Sequence, residues 1–138
     1  MRIWHKDLVP ILPRKQLIGQ WRELCAMSIN MSVLGTPNHI LVNKITWYPK
    51  THFMTFCDLV KWTMTKYGYS PSGLTISNIE DRIGIAMESY VPYDQLFDGW
   101  HNDRYLYQCI SNLEEKYDCG GIPYEEWEVL DNYISEKL

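Results

Sequence analysis

The sequence predicts an all-α (mainly) fold: a compact single domain, residues 1–138, of three main helices with an additional C-terminal helix and irregular connections. Three observations carry this. Apolar residues recur at helical spacing in four segments. Clusters of Gly, Pro, Ser and Asn punctuate the stretches between them. A chain of 138 residues with 46% apolar content has the length of one domain and enough material for a core.

Residues 1–12 are short and mixed, and Pro10 and Pro13 exclude a helix before 13. Pro13 suits a first helical turn. From Arg14 to about Met31, Leu17, Trp21, Leu24 and Ser28 share one stripe, flanked by Ile18, Cys25 and Ile29. Gly35, Pro37 and Asn38 mark a turn. Residues 39–48 are β-branched and aromatic, which fits a short strand or an extended segment closed by Pro49. A second helix is expected from about Thr51 to Tyr67, with Phe53, Phe56, Leu59, Val60 and Met64 as its stripe and Gly68 as its stop. Residues 69–100 are rich in Gly, Pro, Ser and Asn, with room for a short helix near 76–88. A third helix starts at Asn102 or Asp103, either a good N-cap, and ends at Gly120-Gly121. Pro123 opens a last helix, from Tyr124 to about Ser135, packed through Trp127, Leu130 and Ile134.

The net charge of −4 hides an asymmetry. Residues 1–66 carry nine Lys/Arg against three Asp/Glu; residues 67–138 carry four against fourteen. An acidic protein is a poor non-specific nucleic-acid binder, yet its basic half is compatible with local phosphate contact. Six Trp and ten Tyr fill and rim the core, or stack on bases or sugars. Cys25, Cys57, Cys109 and Cys119 form no CxxC pair, and no HxH or HExxH exists. Free thiols are therefore expected, with no metal and no cofactor. The start of the chain lacks a signal-peptide h-region, and no run of about 18 apolar residues would span a membrane. A reduced, cytoplasmic protein is expected, acting as a monomer.

The residues with most chemical content lie near the start. Arg2 and Trp21-Arg22-Glu23 put a terminal amine, cations and a carboxylate in one N-terminal unit. An amine beside a positioned carboxylate can form a Schiff base with a sugar. α-Amines ionise near 7.7–8.0, so a useful fraction is neutral and nucleophilic at neutral pH, unlike lysine. Glu23 lies mid-helix, with Gly19 at i−4, Ala26 at i+3 and Met27 at i+4, and its side chain leans over Gly19. Gly19 costs the helix about 0.8–1 kcal/mol relative to Ala, which suggests that the space beside Glu23 is needed. Arg22 points about 100° away from Glu23 around the helix. His5 lies near enough to the terminus to assist proton transfer.

These residues resemble the pyrimidine-dimer DNA glycosylase family of the phage endonuclease V type. The likeness lies in Arg2-Ile3, Gln16-Leu17 and an aromatic followed by Arg22-Glu23-Leu24. It continues at His52-Phe53-Met54-Thr55-Phe56-Cys57-Asp58 and, more weakly, at Asn112-Leu113-Glu114-Glu115-Lys116 and Trp127. The resemblance implies a three-helix protein whose N-terminal segment threads between helices. It implies a free α-amine that attacks C1′ of a damaged nucleotide, forms an imine and nicks the strand by elimination. Carried over, the amine is that of Met1 and the carboxylate is Glu23. Arg2 and Arg22 hold phosphates, with His5 and Gln16 as further substrate contacts, and damaged DNA is the partner. The chain departs from the family pattern at three points. The phage-type nucleophile is a Thr exposed by Met removal; here Arg2 is too large for efficient removal, so Met1 is expected to stay. A basic residue three positions after the helix Glu is replaced by Ala26, and the overall charge is acidic rather than basic. A second reading from a different class is a non-catalytic nucleic-acid-binding or interaction module that keeps the fold. The distance between the terminus and Glu23 separates the two.

Overall fold

The computed structural model describes residues 1–137. Its five α-helices are α1 (Arg14–Leu34), α2 (Lys50–Lys66), α3 (Gly73–Ile83), α4 (Asp103–Asp118) and α5 (Tyr124–Lys137), with no strand among the described residues. The all-α class is therefore as expected.

Helix α2 is the centre. Phe53, Met54, Thr55, Phe56, Cys57 and Asp58 are six consecutive buried residues, so this turn is covered on every side. Its polar members are satisfied inside the fold. Thr55 Oγ1 accepts the N–H groups of Tyr90 and Val91 at 3.0 and 3.1 Å, and Asp58 accepts from Ser89 at 2.6 Å and pairs with Lys61 at 3.0 Å. These bonds bind the irregular stretch after α3 to α2. Helix α1 packs on α2 and α3 through Leu17, Trp21, Leu24, Met27 and Ser28, and Arg82 of α3 donates to Ser28 Oγ at 3.2 Å.

Pro13 sits one residue ahead of α1, extended at ψ 152°, rather than within its first turn. It offers no side-chain cap, and Glu126 of α5 supplies one instead by accepting the Arg14 N–H. A carboxylate at a helix N-terminus also meets the positive end of the helix dipole. At the other end, Gly35 adopts φ +77°, a left-handed stop that favours glycine.

Three connections differ from the sequence expectation. The first residues, where Pro10 and Pro13 are expected to exclude a helix, contain a 3₁₀ turn, Val9–Ile11, because Pro10 falls in its first turn, where no N–H partner is needed. Residues 39–48 form neither strand nor extended segment but contain a 3₁₀ turn, Asn43–Trp47. Val42 and Ile45, three apart, are buried while Ile40, Leu41 and Trp47 are exposed, and a spacing of three is the 3₁₀ repeat. The short helix expected near 76–88 is a full helix that starts and ends earlier. Ser72 caps it by accepting the Thr75 N–H at 3.1 Å, and Gly84 at φ +90° stops it. The remaining boundaries fall close to expectation: α4 opens behind Asn102, whose side chain accepts the Tyr105 N–H.

The buried apolar side chains form one cluster running from Ile3 to Leu130. The first residues of the chain belong to it: Ile3, Trp4, Leu8 and Val9 are members, with Ile3, Leu8 and Val9 at 0% exposure, and the polar His5 is buried as well. Phe97 is a buried bulky residue at φ +52°, a conformation costing about 1–3 kcal/mol that its surroundings must impose. Its N–H donates to His52 Nδ1 at 3.1 Å, and its carbonyl accepts from Trp100 and His101. Cys57 and Cys109 are buried free thiols, as expected; Cys25 is half-buried. No described helix is long and apolar enough to cross a membrane.

Phe56 is fully buried on α2 against Phe97 and His101. Phe56→Ala is expected to cost about 3–5 kcal/mol, read as a lower urea midpoint at unchanged slope. A loss below about 1 kcal/mol would contradict the central place given to α2.

Candidate active site

Residues 2–6 run through the interior outside any helix, so their backbone polar groups must find other partners. Side chains provide them. The Arg2 N–H donates to Glu23 Oε2 at 2.9 Å. Gln20 bonds twice: its Nε2 donates to the Arg2 carbonyl at 2.8 Å and its Oε1 accepts the Trp4 N–H at 2.7 Å. Tyr105 of α4 donates its hydroxyl to the Ile3 carbonyl, and the Lys6 N–H donates to His101 Nδ1 at 3.0 Å. Burial raises the Tyr105 hydroxyl well above its ordinary range, which keeps it protonated as this bond requires.

The Arg2–Glu23 bond fixes the scale of the site. The Met1 amine lies one residue before the Arg2 nitrogen, and covalent geometry allows about 3.7 Å between them. The amine is therefore within about 6.6 Å of the Glu23 carboxylate. Glu23 is half-buried and, among the described residues, joins no ion pair. The surface beside it is open: apart from the neighbouring residues 18 and 20 and the backbone of α1 itself, nothing lies within 4 Å of where a Cβ on Gly19 would stand. Next around the helix come Arg22 and Lys15, both exposed. Arg14, Lys15, Ile18 and Arg22 line a cleft of about 490 Å³. One face of α1 thus carries cations, with Gly19 and the Glu23 carboxylate beside them.

The sequence-predicted residues fall into two groups. Met1, Arg2 and Glu23 are brought together, and Arg22 flanks them on the open face. The Arg2 guanidinium lies over the Trp4 ring at 5.4 Å with one nitrogen 3.9 Å from Cys109 Sγ. Gln16 is half-buried beside a second cleft, of about 340 Å³, with Arg14, Lys15 and the Gly120-Gly121 turn. His5 is not on the open face. It is 2% exposed, accepts the Asp7 N–H on Nδ1 at 3.1 Å and stacks on His101 at 5.0 Å. Sequence reasoning missed Gln20, Tyr105 and His101. Gln20 alone left a signal, as a polar residue inside the buried stripe of Leu17, Trp21 and Leu24.

Among the described residues no group of three or more His, Cys, Asp or Glu side chains could hold a metal ion. A model of the family described as pyrimidine dimer DNA glycosylase matches residues 1–76, the stretch that contains Met1, Arg2, His5, Gln16, Gln20, Arg22 and Glu23. The chain belongs to that family. No curated protein and no solved structure matches it.

The histidines beneath the N-terminal segment make stability depend on pH. Burial holds His101 well below its ordinary value near 6.5, with His5 and Lys6 adding to the effect. Burial also lowers His5, against the pull of Asp7, and lowers His52. Below pH about 6.5 the unfolded chain binds protons that the folded chain refuses. Stability is therefore complete above that pH and is lost as the pH falls through and below it. Urea midpoints should decline from about pH 7.5 to about pH 5, and His101→Asn, which keeps an acceptor for Lys6, should flatten the decline. An unchanged slope in that variant would remove His101 as a cause.

Proposed function

We propose that the chain is a DNA glycosylase with abasic-site lyase activity, in which the Met1 amine is the nucleophile and Glu23 the supporting carboxylate. The observation that carries this reading is the bond from the Arg2 N–H to Glu23, which keeps the amine within reach of a carboxylate beside an open, basic helix face. A binding module would need no such approach of terminus to carboxylate.

The steps follow from the groups. The neutral amine attacks C1′ of the damaged nucleotide and the bond from C1′ to the base breaks, the base leaving with the bonding pair and a proton. The nitrogen lone pair then forms the C=N bond of the iminium as the C1′–O4′ bond opens, O4′ leaving with the bonding pair and taking a proton from water. Glu23, held through Oε2, leaves its other oxygen to stabilise positive charge developing on the sugar. It then takes a proton from C2′, and elimination breaks the C3′–O bond and nicks the strand. Water releases the amine. Arg22 and Lys15 hold phosphates along the open face, and Arg2 holds one at the terminus with its remaining donors. Gln16 contacts the strand from the second cleft. His5 supports the N-terminal segment from beneath rather than touching substrate. A pyrimidine-dimer-like lesion is the substrate that the family name suggests.

Borohydride with abasic-site DNA should give a covalent adduct at residue 1, located by peptide mass spectrometry. An adduct elsewhere, or none, sinks the mechanism. Glu23→Gln can still accept the Arg2 N–H, so it should fold normally while losing about 100- to 10,000-fold in strand cleavage. Arg22→Gln should weaken DNA binding and lower the slope of log affinity against log salt by about 1. An unchanged slope would remove Arg22 from the phosphate contacts.

A further inference from the structure

The amine can act only if the segment that carries it is held in register, and Gln20 is the one side chain described above that bonds this segment twice. Gln20 is 1% exposed, and its carboxamide spans residues 2 and 4, donating to one carbonyl and accepting from one N–H. The side chain thus plays the part of a neighbouring β-strand for one residue pair. Gln20 and Glu23 stand at i and i+3 on α1, so the clamp and the carboxylate share one rigid element. The Tyr105 bond to the Ile3 carbonyl comes from the opposite side, on α4. A slip of the segment by one residue would present the wrong groups to both ends of the carboxamide.

We propose that Gln20 is a positioning residue for the reaction: it fixes the N-terminal segment on α1 so that the Met1 amine stands at attack distance from the sugar held by Glu23. This rests on the reading of Met1 and Glu23 given above. Gln20 touches neither substrate nor the reacting atoms. Its effect is on the geometry of attack, where a displacement of about 1 Å can cost about 100-fold in rate.

The test uses the full chain and two variants. Gln20→Met keeps the side-chain length and removes both bonds, and Gln20→Asn keeps the carboxamide but is too short to span both groups. Three quantities are read: the single-turnover rate of borohydride-trapped imine on abasic DNA, the DNA dissociation constant and the thermal midpoint. The expected result is a trapping rate lower by about 100-fold with a dissociation constant within about twofold of wild type. A purely structural role would lower thermal midpoint, affinity and rate together, and that pattern overturns the proposal. Wild-type trapping rates in both variants also overturn it, while leaving Met1 and Glu23 in place. Failure of the wild-type chain to trap at all overturns the underlying mechanism instead. If both variants fail to fold, amide exchange in the wild-type chain decides. Slow exchange at Trp4 supports the clamp, and exchange at the rate of a free peptide overturns it.

Discussion

A buried stretch of backbone that belongs to no helix or sheet must still satisfy its N–H and C=O groups, each at a cost of about 1–3 kcal/mol if left alone. Residues 2–6 face this constraint, and most of the site follows from its solution. Gln20, Glu23, Tyr105 and His101 are arranged around one strand-like segment because that segment has no other partners. The same bonds join α1, α4 and the loop before α4, so the tether of the terminus is also a joint between distant parts of the chain. In the proposed mechanism catalytic and structural demands converge on Glu23, which holds the backbone with one oxygen and leaves the other for the sugar.

Electrostatics divides the molecule along its sequence. The exposed cations of α1 belong to the basic first half, whereas α4 and α5 expose Glu114, Glu115, Asp118, Glu125, Glu128, Asp131 and Glu136. A polyanion is drawn to the first surface and repelled by the second, so the field orients an approaching strand before any contact forms. The low overall charge keeps non-specific affinity small. Helix α5 still serves the basic face, because Glu126 caps the first turn of α1.

Much of the fold was legible because α1, α2, α4 and α5 each carry a clear apolar period with a glycine or proline at an end. The segment 39–48 was misleading because β-branched composition favours strands in general, whereas here burial at every third residue selects a 3₁₀ turn. Glu23 could be singled out from its small neighbours and its place near the terminus. His5 could not be placed, since only tertiary packing turns it under the segment. Gln20, Tyr105 and His101 were hidden for the same reason: Tyr105 and His101 act across more than ninety residues of sequence, on backbone groups that carry no side-chain pattern.

Gly19 has a consequence beyond the space it leaves. A helix interior is a poor place for glycine, and the position offers no crowding, no left-handed backbone and no close neighbour that would exclude a methyl group. Packing and backbone geometry alone would therefore favour alanine there. Under the proposed mechanism its absence makes this position a place where stability and catalysis pull in opposite directions: a thermostabilising search that ignored the substrate would choose it early, and would harden the protein by narrowing the space beside Glu23 in which the sugar is proposed to rest.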